Sequence, residues 1–430
     1  MSRQGPRSKN EPIVIIGAGV FGLSTALELK TRGYSQVTIL DRYLPPVPDG
    51  SSVDISRIIR VEYADPLYAK MARESHKGWL RGYKDHYHES GFVMLFDKAK
   101  GNEYVQKSRE VSRALGQEIT EYPNRDALAC AYPGIQVNFE GLEALGNPHG
   151  GWADAAGAIR QLSAQCSEAG VSFLTGPRGR VTSLRYKDKR VVGVNVAEGS
   201  PIPASQVILS TGAWSNTLVN LSHTSSASGQ PVGFIQLTDG EAKQLEKMPV
   251  IINLSTGIFC FPPTPGTKIL KVARHGYGYA TRMKAENTSD LVSSPKRDSN
   301  NAENAYLPED ADAALREGLR QLVPQFANHP WMTRRLCWYS DTPEGDFVID
   351  HHPEIDGLFL ATGGAGHAFK FLPVLGQYIL DCFENKASDD IRRKWRFRSP
   401  VESSPGLKKG DGSRGGPPLR VLSAQEQAKL

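Results

Sequence analysis

The length, charge and composition of the chain exclude several classes of protein before any motif is considered. Its 430 residues exceed what one hydrophobic core usually serves, so we expect two domains. The net charge is only +5, and the basic residues concentrated in 391–420 lack the interleaved aromatic residues of a nucleic-acid-binding surface. The five cysteines show no CxxC spacing, and the sequence has no apolar targeting segment and no run of about 18 apolar residues. We therefore expect no nucleic-acid partner, no metal site, no disulfide framework, no secretion and no membrane span.

The first strong motif lies near the N-terminus. Residues 13–16 predict a buried strand, residues 17–22 have the spacing GxGxxG, and residues 23–30 predict a helix. Residues 37–40 predict a second strand. A strand, glycine turn, helix and strand in this order are typical of a dinucleotide-binding unit.

The glycines of this motif and the acid after it have separate expected roles. Gly17 allows the tight turn, Gly19 lets a pyrophosphate approach the backbone, and Gly22 permits close packing of helix on strand. Asp41 ends the second strand, where it is expected to accept hydrogen bonds from the adenosine ribose; an acid here argues against a 2′-phosphate. The other cofactor contacts expected near this unit are Val20, Phe21, Arg42 and Ser52.

Two arginines follow in a segment that otherwise favours burial. Arg57 and Arg60 bracket a pair of isoleucines. An arginine that is partly buried usually binds an anion, whereas the alternative is a surface pair at the start of a helix.

Residues 150–220 are predicted to return to the same sheet. A helix is expected up to residue 169, a strand at 171–174, and a hairpin formed by 181–186 and 190–196. The strand that begins at 207 ends in a Thr-Gly-Ala turn, which favours a flavin-type over a nicotinamide-type Rossmann domain. The cofactor contacts expected in this part are Val181, Thr211, Gly212 and Trp214.

Alternating strands dominate the following part of the chain. Their predicted positions are 232–237, 250–254, 257–261 and 268–275. In the last of these, Lys271 and His275 share one face by the period of two. Burying both requires a ligand or a partner, and the alternative is an edge strand with a wet face. A polar loop is expected at 285–310 and an amphipathic helix at 311–322.

The stretch 337–371 combines a cysteine, a glycine run and an isolated lysine. Strands are predicted at 347–350 and 358–362, followed by a glycine turn and a helix over 373–384. This pattern is typical of a ligand site at a strand–helix turn, and the alternative is an ordinary tight connection.

The chain beyond residue 398 is predicted to be a disordered basic tail because it is rich in serine, proline, glycine and lysine. Its last three residues, Ala428-Lys429-Leu430, are a conservative variant of the Ser-Lys-Leu address of peroxisomal proteins. We therefore expect the peroxisomal import receptor as a partner and a peroxisomal location, with the cytoplasm as the alternative.

Taken together, the chain resembles the FAD-dependent amine oxidase family, which includes monomeric sarcosine oxidase, L-pipecolate oxidase, saccharopine oxidase and the fructosyl amino acid oxidases. The resemblance spans about residues 12–390. Its most specific parts are the motif Cys337-x-Tyr339-x-x-Thr342-Pro343, the run 347–353 and the motif Gly363-x-x-Gly366-His367-x-Phe369-Lys370.

This resemblance implies an α/β (α+β) fold, in which an FAD-binding Rossmann-type domain is interleaved with a substrate domain built on a mixed β-sheet. The FAD-binding domain is expected to comprise 10–60, 150–220 and 335–390. The substrate domain is expected to comprise 61–149 and 221–334, with the tail at 398–430.

The resemblance also assigns roles to single residues. It implies that Cys337 carries the flavin through an 8α-S-cysteinyl bond, although a lone cysteine without its motif is more often an inert buried thiol. It implies that Arg60 and Lys370 bind the substrate carboxylate and that Arg57 lies beside the flavin ring. It implies that Lys271 activates oxygen. Tyr339 is expected to line the substrate pocket, His275 to belong to the catalytic site, and Gly364, Gly366, His367 and Lys370 to contact the cofactor.

Two departures within the family bear on the substrate. In the family that the chain resembles, the fructosyl oxidases have lysine at the position of Arg57 and an acid at the position of His275, whereas sarcosine and pipecolate oxidases have arginine and histidine there. The resemblance therefore favours a secondary amino acid over a fructosyl adduct as the substrate. The second tyrosine of the sarcosine pocket falls near Phe259 or Cys260, which argues for a different or larger substrate than sarcosine.

The expected function is therefore that of a monomeric flavin-dependent oxidase of a secondary amino acid such as pipecolate, saccharopine or sarcosine. It would oxidise the C–N bond to an imine and reduce dioxygen to hydrogen peroxide. A fructosyl amino acid oxidase and a tailoring amine oxidase of secondary metabolism are the alternatives. From other classes, a nicotinamide dehydrogenase and a silent nucleotide-binding module remain as rivals.

Overall fold

The structure is a computed structural model that describes residues 8–221, 224–284, 291–297, 301, 303–398 and 410–430. Two principal sheets organise these residues, and the predicted site lies where the sheets meet. None of the described helices combines the length and the apolar character that a bilayer span requires.

The first principal sheet has six strands and carries the glycine turn. All neighbours pair in parallel except the edge strand Val348–His351, which is antiparallel to its neighbour. In spatial order, the strands are Val348–His351, Leu358–Thr362, Gln206–Leu209, Ile13–Ile16, Val37–Leu40 and Ser172–Leu174.

Both faces of this sheet are covered, as its continuous apolar strands require. On one face, Ile13 and Ile15 belong to a core shared with three helices. On the other face, Val14 and Ile16 pack under a small antiparallel sheet. The helices are Val20–Thr31, Ala155–Glu168 and Leu372–Phe383, and the strands of the small sheet are Val181–Lys187, Arg190–Val196 and Ile202–Pro203.

The second principal sheet is mixed and forms the other wall of the site. Its longest strand, Ser226–Gln236, pairs antiparallel with both Ile269–Arg274 and Thr333–Asp341. The helix Glu309–Leu322 packs its buried leucines against this sheet. The remaining strands of the sheet are Arg420–Val421, Tyr279–Ala280, Ile258–Cys260, Val250–Asn253, Phe92–Asp97, Leu142–Asn147 and Thr120–Tyr122.

Smaller elements complete the described part of the chain. Arg57–Ile59, Gly151–Ala153 and Tyr87–Glu89 form a three-stranded sheet, so Arg57 begins a strand and Arg60 follows its end, and neither lies at a helix start. The α-helices not yet named are Pro66–Arg81, Glu103–Ala114, Arg125–Ala131, Gly176–Gly179, Asp239–Gln244, Asp389–Trp395 and Ala424–Ala428. The 3-10 helices are Lys84–His86, Gly212–Thr217, Pro324–Phe326 and Ala368–Phe371.

The strands of the six-stranded sheet lie within the three segments predicted for the cofactor domain, and the domain boundaries themselves stay a prediction. The polar segment 285–310 is less irregular than predicted, because Leu291–Val292 pairs with Met283–Lys284. Residues 285–290 of this segment lie outside the described part of the chain.

The prediction of a disordered tail over 398–430 is wrong for residues 410–430. The strand Arg420–Val421 pairs with Tyr279–Ala280, and Ser423 caps the helix Ala424–Ala428. Arg414 is 6% exposed and bonds to Asp341, so the segment is held by polar contacts that its composition does not reveal. Residues 399–409 lie outside the described part of the chain.

Candidate active site

The glycine turn has the geometry that a nucleotide-binding loop requires. Gly17 has a φ of 105°, and a Cβ there would lie 2.5 Å from the carbonyl oxygen of Ser210. A Cβ at Gly22 would overlap the carbonyl oxygen of Gly17, so this position serves helix packing, as predicted. The loop is fixed by two side chains: Ala18 N–H donates to Asp41 Oδ2 at 2.8 Å, and Val20 N–H donates to Ser52 Oγ at 2.9 Å.

A cavity of about 900 Å³ extends from this turn over the carboxyl ends of the parallel strands. Burial raises the pKa of Asp41, which lies in its wall. The Arg42 guanidinium stacks 5.3 Å from the Trp214 ring and donates to Asp49 at 2.8 Å. The predicted contacts in this cavity are Gly17, Gly19, Asp41, Arg42, Ser52, Val181, Thr211, Gly212 and Trp214.

A second cavity, of about 1350 Å³, adjoins the first and shares part of its wall, including Gly19, Ser52 and Gly212. It lies between the two principal sheets. Among the predicted cofactor residues, only Gly22 lines neither cavity. The predicted residues that line the second cavity are Gly19, Val20, Phe21, Ser52, Arg57, Arg60, Gly212, Lys271, His275, Cys337, Tyr339, Gly364, Gly366, His367 and Lys370.

These two adjoining cavities fit an elongated dinucleotide such as FAD. At the turn, a Cβ on Gly19 would approach Ser52 Oγ to 3.0 Å, so the loop leaves the backbone open to a phosphate only with glycine there. The first cavity has an acid and a tryptophan in its wall for the nucleoside, and the second has cationic and aromatic side chains for a ring system. The residues present therefore suit the group that the sequence predicts.

Lys271 is held in a buried ion-pair network in the second cavity. Its Nζ lies 2.9 Å from Asp54 Oδ2 and donates to the Ser56 carbonyl oxygen at 2.8 Å. Arg57 Nη1 and Arg335 Nη2 lie 2.7 Å and 3.6 Å from the same Asp54 oxygen. Burial lowers the pKa of Lys271 to about 8, although Asp54 opposes this shift, so the ammonium form predominates at neutral pH.

Asp54, which was not among the predicted site residues, lies at the centre of this network. Its pKa is held below the ordinary value by Lys271 and Arg57, against the effect of burial. Its spacing of three residues from Arg57 was a usable signal. Its pairing with Lys271 depends on the fold.

Lys370 is also buried in this cavity and Arg60 is half-buried there, but neither has an acid partner among the described residues. Arg60 Nη2 donates to Tyr104 OH at 2.9 Å, while its buried Nη1 has no hydrogen-bond partner in the described part of the chain. Lys370 Nζ donates to the His367 carbonyl oxygen at 3.0 Å. Among the described residues, no carboxylate oxygen lies within 4.0 Å of either cation. Burial, and then the charge of Arg60, hold the pKa of Lys370 well below its ordinary value.

Cys337 and Tyr339 lie on one face of the strand Thr333–Asp341 and line the second cavity. The Cys337 thiol is 5% exposed, and its Sγ lies 3.9 Å from Arg57 Nη2. A Cβ at Gly366 would overlap the Tyr339 ring, so this glycine lets the turn approach the pocket wall. Of the two residues predicted near the missing tyrosine, Phe259 lines the cavity and Cys260 does not.

His367 is fixed by hydrogen bonds at both ring nitrogens. Nε2 lies 2.8 Å from the Gly345 carbonyl oxygen, and Nδ1 lies 3.1 Å from Tyr63 OH. Burial, and then the charge of Lys370, lower the pKa of His367 to about 3. The ring is therefore neutral, and it positions the glycine turn beside Lys370.

The C-terminal segment 410–430 contributes residues to the site that were not among the predicted site residues. Ser413 lines the second cavity, and its Oγ lies 3.0 Å from His275 Nε2. Arg414 donates to both oxygens of Asp341 and to the Ala365 carbonyl oxygen, the latter at 3.1 Å. No local sequence pattern signals these contacts.

Comparisons with known proteins agree with this geometry. The family model described as DAO, FAD dependent oxidoreductase, matches residues 12–382. L-Saccharopine oxidase of Schizosaccharomyces pombe is 33% identical over 415 residues, which cover 91% of this chain and 94% of that protein. A monomeric sarcosine oxidase of a Bacillus species is 26% identical, with 85% of this chain and 90% of that protein covered.

One solved structure is similar to this chain over nearly the whole length of both chains. The deglycating fructosamine oxidase Amadoriase II of Aspergillus fumigatus, in complex with FSA, has a TM-score of 0.86 at 27% identity, with 97% of this chain and 96% of that chain covered. The predicted family and fold class are thereby confirmed. The chain belongs to the FAD-dependent oxidoreductase family.

Proposed function

We propose that the protein is an FAD-dependent oxidase of a secondary amino acid, which converts its C–N bond to an imine and reduces dioxygen to hydrogen peroxide. The observation that carries this proposal is the pair Arg60 and Lys370, a half-buried guanidinium and a buried amine without an acid partner among the described residues. An unpaired buried charge is costly, so the pair is suited to a ligand that brings its own anion. A substrate carboxylate meets this requirement.

FAD, when bound, accepts a hydride equivalent from the substrate carbon and returns the electrons to dioxygen. The glycine turn at 17–22, Ser52 and Asp41 would hold its nucleotide part. Arg60 and Lys370 bind the carboxylate and so orient the carbon that is oxidised. Lys271 supplies a fixed positive charge beside the site of oxygen reduction, where negative charge develops.

The flavin is proposed to be attached to Cys337 through an 8α-S-cysteinyl bond. The thiol lines the cavity, and its Sγ lies 3.9 Å from Arg57 Nη2. Acid-precipitated protein should therefore stay yellow, and Cys337→Ser should release its colour on precipitation. A colourless precipitate of the wild type would contradict the linkage.

The substrate is proposed to be an N-substituted amino acid rather than a fructosyl adduct. Arg57 and His275, which separate the two groups in the family resemblance, both line the cavity. The similarity to a saccharopine oxidase supports the same choice. The test is peroxide release with L-saccharopine, L-pipecolate, sarcosine and fructosyl-glycine, and oxidation of fructosyl-glycine alone would overturn the assignment.

A fructosyl amino acid oxidase is the second candidate because of the close structural match to a deglycating enzyme. Phe259 lines the cavity where the resemblance places a tyrosine of the sarcosine pocket, and this departure from the sarcosine pocket suits both candidates. A tailoring amine oxidase would be indicated by oxidation of a bulky cyclic amine and by no reaction with the four panel substrates.

A peroxisomal location is proposed from Ala428-Lys429-Leu430, and it suits an enzyme that releases peroxide. Asn304 Nδ2 donates to the Lys429 carbonyl oxygen at 2.6 Å, so receptor binding requires release of this contact. A fluorescent fusion at the N-terminus should co-localise with a peroxisomal marker, and replacement of Leu430 should move it to the cytosol. A fusion that is cytosolic before the replacement would contradict the proposal.

A further inference from the structure

We propose that Ser413 and Asp411 of the C-terminal segment form a proton relay with His275 that deprotonates the amine of the bound substrate. This inference rests on the proposed function, because it concerns the same substrate. It assigns a chemical task to a segment that sequence composition predicts to be disordered.

Two short hydrogen bonds connect the three side chains. His275 Nε2 lies 3.0 Å from Ser413 Oγ, and Ser413 Oγ donates to Asp411 Oδ1 at 2.6 Å. Because the single hydroxyl proton is given to the carboxylate, Ser413 Oγ can only accept from the histidine. His275 therefore carries its proton on Nε2, and its Nδ1 is a hydrogen-bond acceptor.

The ring that carries this Nδ1 lies in the wall of the cavity where the substrate is proposed to bind. His275 is partly exposed and lines the second cavity with Arg60 and Lys370. Nδ1 has no hydrogen-bond partner among the described residues, and it is not enclosed by protein atoms. An acceptor open to the cavity that holds the carboxylate-binding cations is placed to receive a proton from the substrate amine.

The segment that carries the relay is anchored firmly. Arg414 is buried, and it bonds to Asp341, to the Ala365 carbonyl oxygen and to the Gly276 carbonyl oxygen. Ser413 is 3% exposed. Asp411 is partly exposed and Gly412 beside it is exposed, so the residue at the far end of the relay lies next to solvent.

Oxidation requires the neutral amine, because an ammonium nitrogen has no lone pair to stabilise the carbon that loses hydride. The relay supplies this form in a balanced step. The amine N–H breaks as Nδ1–H forms, the Nε2 proton passes to Ser413 Oγ, and the hydroxyl proton of Ser413 passes to Asp411 Oδ1. Asp411 then releases that proton to water.

Charged groups on all sides of His275 determine when this transfer occurs. Arg414 faces the ring from the C-terminal segment, and Arg60 and Lys370 face it across the cavity. Burial and these cations hold the pKa of His275 low, whereas Asp411 raises it. A bound substrate carboxylate offsets the charges of Arg60 and Lys370, so His275 becomes a stronger base once the site is loaded.

The test uses the FAD-loaded enzyme without oxygen, and the substrate is whichever of L-saccharopine, L-pipecolate and sarcosine the wild type oxidises fastest. The limiting rate of flavin reduction is measured against pH. Ser413→Ala should move the midpoint of this profile upward by about one pH unit or more and slow reduction at neutral pH about 10²-fold, with recovery at high pH. Asp411→Asn, which keeps the acceptor Oδ1 but cannot take up the proton, should also slow reduction at neutral pH, with recovery at high pH.

Ser413→Thr is the matched control, because it retains the hydroxyl and should keep the wild-type midpoint. The melting temperature and flavin content of each variant report folding separately. A Ser413→Ala or Asp411→Asn profile that is lowered equally at every pH would mean a structural role only and would overturn the relay. A wild-type enzyme that none of the three amino acids reduces would overturn the proposed function and the relay with it.

Discussion

Two groups of cationic side chains face the same cavity, and they differ in whether an acid accompanies them. At one end, Lys271 and Arg57 share Asp54, whose Oδ2 lies 2.9 Å and 2.7 Å from them. At the other end, Arg60 and Lys370 have no carboxylate within 4.0 Å among the described residues. We call the first group, which has an acid among its own residues, the complete group. The second has no acid within ion-pair distance among the described residues; we call it the incomplete group, and it is suited to an anion from outside. The comparison therefore separates the charge that serves the reaction from the charge that binds the substrate.

The largest effect is expected from removing the acid of the complete group. Asp54→Asn leaves Lys271, Arg57 and Arg335 without their shared carboxylate, so it should reduce the free energy of unfolding by about 3–5 kcal/mol. Thermal or urea denaturation of the FAD-loaded protein measures this loss. The double variant Asp54→Asn/Lys271→Met removes one stranded cation and should recover part of the stability. If the Asp54→Asn protein were as stable as the wild type, the Asp54 carboxylate would not stabilise the three cations around it.

The opposite result for stability is expected at the incomplete group, Arg60 and Lys370. Lys370→Met removes a buried amine that has no acid partner among the described residues, so it should leave the unfolding free energy unchanged or increased. Its kcat/KM for the amino acid should fall about 10²- to 10³-fold, because a desolvated partner of the carboxylate is lost. Steady-state peroxide assays and thermal denaturation on the same preparation test both expectations. A variant that loses stability and retains kcat/KM would reverse the roles of the two groups.

Sequence alone predicts those parts of the site that depend on local geometry. The turn at 17–22 is of this kind, because the φ of 105° at Gly17 and the close packing of Gly22 impose glycine at fixed spacing. Lys271 and His275 could be placed on one face for the same reason, since a strand alternates with a period of two.

The features that the sequence did not reveal depend on long-range contacts. Asp54 acquires its role only when the fold brings Lys271 beside it, and no pattern near either residue encodes that distance. The choice between Phe259 and Cys260 required the register of their strand. The segment 410–416 is polar and rich in glycine, and its order comes from Arg414 meeting Asp341. The composition of such a segment shows that it has few apolar side chains to bury, but it does not show that a charged side chain elsewhere in the fold will hold the segment in place.

A third prediction concerns the complete group in the reaction itself. Lys271→Met should slow reoxidation of the reduced flavin by dioxygen about 10²-fold or more, because a fixed charge aimed at developing negative charge is removed. Reduction by the amino acid should change much less. Stopped-flow measurements of the two half-reactions separate these effects. Lys271→Arg retains a positive charge and is the control, and equal slowing of both half-reactions would contradict the assignment.

The smallest predicted effect is a dependence of carboxylate binding on pH, which tests whether the anion is bound by Lys370 or by Lys271. Burial and Arg60 hold the pKa of Lys370 low, so above that pKa a carboxylate can bind fully only if Lys370 takes up a proton. The Kd of a carboxylate that is not oxidised, such as benzoate, should therefore rise with pH, by at most about tenfold per unit, and should be constant below the pKa of the free site. Flavin absorbance titrations from about pH 6 to about pH 9 measure it. Lys271 also titrates in this range, so Lys370→Met is the necessary control and should abolish the dependence. If the pH dependence of Kd persists in Lys370→Met, it arises from Lys271 instead. The anion would then be bound at the end of the cavity that contains Asp54 and Lys271.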